Sequence, residues 1–176
     1  MRVDLLTDTE AFAIERQLHG QPRLIWLIGC STGLRVSDIL RLQVYQLKKQ
    51  RLSIKEQKTG KRRRLYIRRK IIEEVLQYQN ENNLSDVDLL FNITRQGVWK
   101  AFKKAASLAG VQRNIGSHSM RKNYALAHIR KGFDLYDLKE RLNHSHLSDT
   151  IGYITSNIDL GLDEKGKPRR KGRKRK

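Results

Sequence analysis

Apolar residues recur at helical spacing along most of the chain and switch to alternation over one central segment. Thr7 followed by Glu10 is a capping-box signal that opens a helix through about Leu18. Pro22 suits the first position of a second helix, through about Cys30. Gly33 permits a tight turn before Arg35, and Val36 to Leu42 reads as a further short helix. From Val44 to Ile67 the period changes. LSIKEQ and RRLYI alternate or carry β-branched and aromatic residues, and Thr59-Gly60 between them marks a turn. This predicts an antiparallel sheet of two or three strands with Lys58 beside the turn. Helical spacing then returns at Ile71, Ile72, Val75, Leu76 and Tyr78, and at Val98, Phe102, Ala105, Ala106 and Ala109, stopped by Gly110. Ser117, Asp134 and Ser148 are candidate N-caps for three more helices, running to about Arg130, to about Leu142, and through Tyr153. The architecture read from this pattern is mainly α with a small antiparallel β-sheet (α+β).

The 176 residues suit one domain with a sizeable core, drawn here over 1–160, followed by a basic tail over 161–176. No stretch reaches the ~20 apolar residues that span a bilayer, and MRVDLLTDTE has no apolar signal-peptide core, so a cytoplasmic protein is expected. The single Cys30 excludes an internal disulfide and any multi-cysteine zinc site, and its place in LIWLIGC predicts a small packed thiol.

Charge changes the picture. The 37 basic residues against 18 acidic give +19, and such an excess points to a polyanionic partner, nucleic acid being the commonest. Lys58 to Lys70 holds eight basic residues and no acid, and Lys165 to Lys176 holds nine more. Taking those nine away leaves +10 on residues 1–164, so the body is basic by itself. Residues 165–176 have no apolar side chain to bury; this stretch is expected to be disordered when free and to bind phosphates through residues such as Lys171 and Arg173.

Within this frame six residues carry candidate chemistry: Arg35, Lys58, His118, Arg121, His144 and Tyr153. Two guanidiniums, Arg35 and Arg121, can clamp the non-bridging oxygens of one phosphate, and Arg121 stands three residues after His118 on what would be one helix face. A lysine on a hairpin turn can protonate a leaving oxygen, since lysine titrates more readily than arginine. Lys61, Arg62, Arg63 and Arg64 are rivals to Lys58 for that task and are otherwise expected to contact phosphates. His118 and His144 could accept a proton or hydrogen-bond a phosphate, with His146 close enough to compete. Of the six tyrosines, Tyr153 alone follows a histidine-bearing segment near the chain end, with polar Ser148, Asp149 and Thr150 before it. A phenol titrating near pH ~10 needs such cations or a base to become a nucleophile. No carboxylate or cysteine is spaced to complete a metal site, so a metal-free mechanism without cofactors is favoured.

The local sequences TGLRVSD (32–38), QKTGK (57–61), HSMR (118–121) and LNHSHLSDTIGY (142–153) resemble the catalytic domain of the tyrosine recombinases, the phage-integrase family. The resemblance runs from about Leu6 to about Ile154. It implies that Lys58 is the general acid, that His144 assists catalysis nine residues before the nucleophile Tyr153, and that Asp38 has a supporting role. It also implies site-specific recombination of double-stranded DNA through a 3′-phosphotyrosyl intermediate. The expected protomer is monomeric when free and assembles as a tetramer on DNA. Relaxation of DNA, as by a type IB topoisomerase, and a non-catalytic DNA-binding module are the alternative readings. The chain departs from the family pattern at Asn143, where glycine is usual, and at Gly152, where arginine is frequent. Full-length relatives carry an N-terminal helical core-binding domain, whereas this chain starts almost at the catalytic domain. That start reads as an excised fragment or a naturally minimal enzyme.

Overall fold

Thr7 and Glu10 exchange hydrogen bonds, the Thr7 amide donating to Glu10 Oε2 at 2.8 Å and the Glu10 amide to Thr7 Oγ1 at 3.1 Å. This satisfies two donors that a helix start leaves orphaned, and it begins helix α1 (Asp8–Gln17). A computed structural model of the chain describes residues 3–154, which divide into two units at Tyr124/Ala125.

The first unit continues with α2 (Gly20–Thr32), α3 (Val36–Ile39) and a short 3-10 turn at Val44–Leu47. Strands β1 (Arg51–Lys55) and β2 (Arg62–Tyr66) follow, then α4 (Arg69–Glu81), α5 (Arg95–Leu108) and the start of α6 (Ser119–Arg130). Pro22 is the third residue of α2, still within the first turn, where its missing N–H costs no helical bond. The predicted helix over Val36 to Leu42 is shorter. After Ile39 the chain closes with three-residue bonds, from the Arg41 amide to Asp38 and from the Leu42 amide to Ile39. The sheet has two strands, and Val44, expected near a strand, instead opens the 3-10 turn. Thr94, which the apolar spacing did not single out, caps α5 by accepting from the Gly97 amide at 3.0 Å.

The hairpin is antiparallel, pairing Arg51 with Tyr66, Ile54 with Arg63 and Lys55 with Arg62. Leu52, Ile54 and Arg63 face inward while Arg51, Ser53, Lys55, Arg62, Arg64 and Tyr66 face solvent, as a two-residue period requires. Beneath lies a core in which Trp26 of α2 meets Phe102 of α5 edge to face, ring centroids 5.1 Å apart. Leu24, Ile25, Ile28, Ile39, Leu47, Ile67 and Val75 fill the remaining space.

In the second unit, α6 continues to Arg130, and α7 (Leu135–Leu142) packs against α8 (Leu147–Ile154). Asp134 caps α7 by accepting from the Asp137 amide at 2.8 Å. The other two expected caps differ. α6 starts at Ser119, whose hydroxyl accepts from the Gly116 amide at 3.1 Å, and α8 starts at Leu147, one residue before Ser148. Leu135, Leu138 and Leu142 are buried, and Arg141 lies over the Phe133 ring at 4.8 Å. No helix among the described residues is long and apolar enough to cross a membrane.

Candidate active site

Gly33 ends α2 in the left-handed conformation, φ +64°, which glycine adopts without penalty. A Cβ there would also lie 2.5 Å from Cδ1 of Tyr124, so both the turn and the close approach require glycine. The turn delivers Arg35 to the N-cap position of α3 in extended backbone. Its guanidinium Nη1 donates to Glu56 Oε2 at 2.8 Å, an ion pair in which the carboxylate is fully buried.

Arg121 lies on α6, is 2% exposed, and donates through Nη1 to the carbonyl oxygen of Gly33. The second cation is therefore tied to the turn that presents the first. His118 precedes α6 rather than lying on it, its carbonyl accepting the helical bond from the Lys122 amide at 2.9 Å. The imidazole keeps an exposed surface, yet the surrounding protein desolvates it enough to lower its pKa below the ordinary value. The positive charges of Arg121 and Arg35 push further in the same direction, with smaller effects from Arg95 and Lys122. A neutral imidazole beside fixed cations can accept a proton without first losing one.

Lys58 is exposed in the turn between β1 and β2. The base of that turn is held from two sides. Asp38 Oδ1 accepts from the Gln57 amide at 2.8 Å. Glu56 accepts from Arg35, from Arg63 Nη1 at 2.9 Å and from the Thr59 hydroxyl at 3.0 Å. Gly60, at φ +66°, closes the turn by donating to the Glu56 carbonyl at 2.9 Å. Lys61, Arg62 and Arg64 are exposed. Arg63 is not. It is 7% exposed, opposite Ile54 on the inward face, and spends its second amino group on the Thr32 carbonyl at 3.2 Å.

In the second unit, Asn143 ends α7 in the left-handed region, φ +53°, the conformation for which asparagine is the best substitute for glycine. His144 follows, its amide donating to the Lys139 carbonyl at 3.1 Å. Its Nδ1 lies 3.0 Å from the hydroxyl of buried Thr150, a hydrogen bond whose direction follows the imidazole tautomer. Thr150 and Tyr153 are one turn apart on α8, so this bond ties the histidine to the turn that carries the tyrosine. A Cβ at Gly152 would meet nothing within 4 Å. The Tyr153 side chain, Lys171 and Arg173 lie outside the described residues.

Among the described residues no group of three or more His, Cys, Asp or Glu side chains is gathered to hold a metal. Burial raises the Cys30 thiol to about 12, far from the range of a nucleophile. Sequence reasoning missed Glu56, Thr59 and Arg95. Glu56 had a readable signal, being the only acid between Asp38 and Glu73, in register with inward-facing Leu52 and Ile54. Chemically, the first unit offers two fixed guanidiniums, a neutral imidazole and an exposed ammonium on a pinned turn. That set suits an oxyanion such as phosphate.

Residues 7–159 match the phage integrase family. The probable integrase/recombinase YoeC of Bacillus subtilis (strain 168) is 32% identical over 146 residues, covering 80% of this chain and 77% of YoeC. The chain spans about half the length of other curated relatives, 49% of tyrosine recombinase XerA of Pyrococcus furiosus and 46% of XerD of Listeria innocua. The solved catalytic domain of bacteriophage HP1 integrase has a TM-score of 0.67 at 20% identity, covering 91% of this chain and 94% of that one. A lambda integrase tetramer bound to a Holliday junction has a TM-score of 0.68 at 17% identity, covering 93% and 50%. The fold is that of a tyrosine recombinase catalytic domain, mainly α with a two-stranded antiparallel sheet. By a match over most of its length, the chain belongs to the phage integrase family.

Proposed function

We propose that this protein breaks and rejoins double-stranded DNA in site-specific recombination, with Tyr153 as nucleophile. The phenolate oxygen attacks phosphorus, the 5′ oxygen leaves with a proton from Lys58, and the 3′ end remains as a phosphotyrosine. Attack by the 5′ hydroxyl of a partner strand reverses the step and releases the tyrosine, so the bond energy is conserved without a cofactor. His118 and His144 serve the tyrosine proton and the phosphate oxygens. Arg35 and Arg121 hold the non-bridging oxygens, and one preorganised donor of this type contributes about 3 kcal/mol.

The observation that carries this reading is the bond from Arg121 to the Gly33 carbonyl beside the Arg35 turn, with His118 held neutral next to both. Catalysis is assigned to residues 1–160, and the basic stretch 161–176, with Lys171 and Arg173, to the DNA backbone. Lys61, Arg62 and Arg64 contact phosphates, whereas buried Arg63 supports the turn from inside. The solved lambda integrase tetramer bound to a Holliday junction supports an assembly of four protomers on DNA, formed here from free monomers. A cytoplasmic protein acting at the nucleoid suits these tasks.

A pool of nicked duplexes of random sequence tests the proposal. Cleavage beside the nick lets the short 5′-hydroxyl product diffuse away and leaves protein on the 3′ end. The pool should yield covalently trapped duplexes sharing a sequence, with free 5′ hydroxyls on the released pieces. Protein attached to 5′ ends, or no trapped DNA, would contradict the proposal.

A further inference from the structure

We infer that Glu56 and Thr59 are positioning residues that hold the Lys58 turn and the Arg35 guanidinium in one unit. The inference rests on the reading of Lys58 as the proton donor. Lys58 itself is exposed on a hairpin turn, and an exposed ammonium on a four-carbon stem has no fixed direction. What is fixed is the residue after it. The Thr59 hydroxyl donates to Glu56 Oε2 at 3.0 Å, and the same oxygen accepts from Arg35 Nη1 at 2.8 Å. Glu56 Oε1 is taken by Arg63 Nη1 at 2.9 Å, so the carboxylate cannot swing toward one partner without leaving another. The Glu56 backbone completes the frame, its amide donating to the Lys61 carbonyl at 3.0 Å and its carbonyl accepting from the Gly60 amide.

A fully buried carboxylate with two guanidiniums and a hydroxyl on its two oxygens is a rigid junction. One side of the junction ends at Arg35, which binds phosphate oxygen in the proposed reaction. The other ends at the turn that offers a proton to the leaving oxygen of the same phosphate. The junction therefore sets the offset between the charge clamp and the acid, which a proton transfer in the transition state demands to within a fraction of an ångström. Loosening only the Thr59 arm should impair protonation of the leaving group and spare the clamp.

The experiment uses nicked duplexes trapped by the wild-type chain, remade with either oxygen or sulfur at the 5′-bridging position. The thiolate leaves without a proton, so sulfur removes the need for an acid. Lys58→Ala sets the scale and should cleave the oxygen substrate at least about a hundredfold slower, the usual contribution of a general acid. On the sulfur substrate it should recover. Thr59→Val, which keeps the turn residue's shape and removes the hydroxyl, should lose up to about a hundredfold on oxygen through misplacement and little on sulfur. Thr59→Ser should restore the oxygen rate. Glu56→Gln should be only partly rescued by sulfur, because it also loosens Arg35; should it fail to fold, the Thr59 variants decide alone. Thr59→Val equally slow on both substrates, or unimpaired on oxygen, would overturn the inference while Lys58→Ala is still rescued by sulfur. A Lys58→Ala variant that sulfur does not rescue defeats the proton-donor reading itself, and the inference with it.

Discussion

Arg121 donates a hydrogen bond to the main-chain carbonyl of Gly33, two residues before Arg35, across 88 positions of sequence. One guanidinium is thus spent partly on fixing the turn that aims the other. Gly33→Ala should break this arrangement twice over, since the residue sits at φ +64° and a Cβ would overlap the Tyr124 ring. The left-handed backbone alone costs an alanine about 1–2 kcal/mol, and the ring contact adds to it. Urea denaturation should show a loss larger than the backbone cost, with trapping of nicked DNA lost as well. An unchanged midpoint would mean that the turn relaxes freely.

His118 should titrate below its ordinary value of 6.5, because burial and neighbouring positive charge both disfavour the imidazolium. The consequence for stability has a definite sign. Between the lowered folded pKa and the ordinary unfolded one, the unfolded chain binds more protons, so stability falls as pH drops through that window and is complete above it. His118→Gln should weaken this dependence. An NMR titration of the ring that gave a value above 6.5 would contradict the charge arrangement at the site.

The three arginines of β2 should behave differently despite standing side by side. Arg63→Ala leaves Glu56 buried with one of its cations gone, and breaking a buried pair costs on the order of 3 kcal/mol. Arg62→Ala and Arg64→Ala should leave stability within about 0.5 kcal/mol, as exposed substitutions usually do. If each touches a phosphate, each should reduce the magnitude of the salt slope of DNA binding by about 0.9. Equal stability losses for all three variants would count against the inward placement of Arg63.

Asn143 at φ +53° offers a test in the second unit. Asn143→Gly should be tolerated or mildly stabilising locally, whereas Asn143→Val, β-branched in left-handed backbone, should cost at least about 1–2 kcal/mol. It should also disturb His144, the next residue, and its bond to Thr150. A Val variant that melts with the parent would remove the C-cap from the account of this turn.

Much of the fold was legible because its signals are local. Thr7 with Glu10, Asp134 and the Thr59-Gly60 turn each act within four residues, and the apolar period of α4 and α5 reports a buried face directly. The candidate site could be read as a list of residues, and its arrangement could not. Arg62, Arg63 and Arg64 read as one charge run, and only strand parity together with the buried Glu56 separates the middle one. The bond from Arg121 to Gly33 joins positions too far apart for any spacing rule. His118 and Arg121 read as one helix face, but the helix begins at Ser119, and a start fixed by the Ser119 hydroxyl on Gly116 leaves no periodic trace. Ser148 had the composition of a cap, yet α8 begins one residue earlier, where the Asp149 carboxylate accepts from the His146 amide at 3.3 Å.

The central claim is that Tyr153 becomes joined to DNA, and mapping that bond tests it most directly. Wild-type protein trapped on its selected nicked duplex should be digested with nuclease and protease and sequenced by mass spectrometry. A phosphorylated nucleotide remnant on Tyr153, with Tyr153→Phe binding the duplex normally but trapping none of it, is the predicted result. A remnant on any other residue, or trapping that survives Tyr153→Phe, would contradict the account.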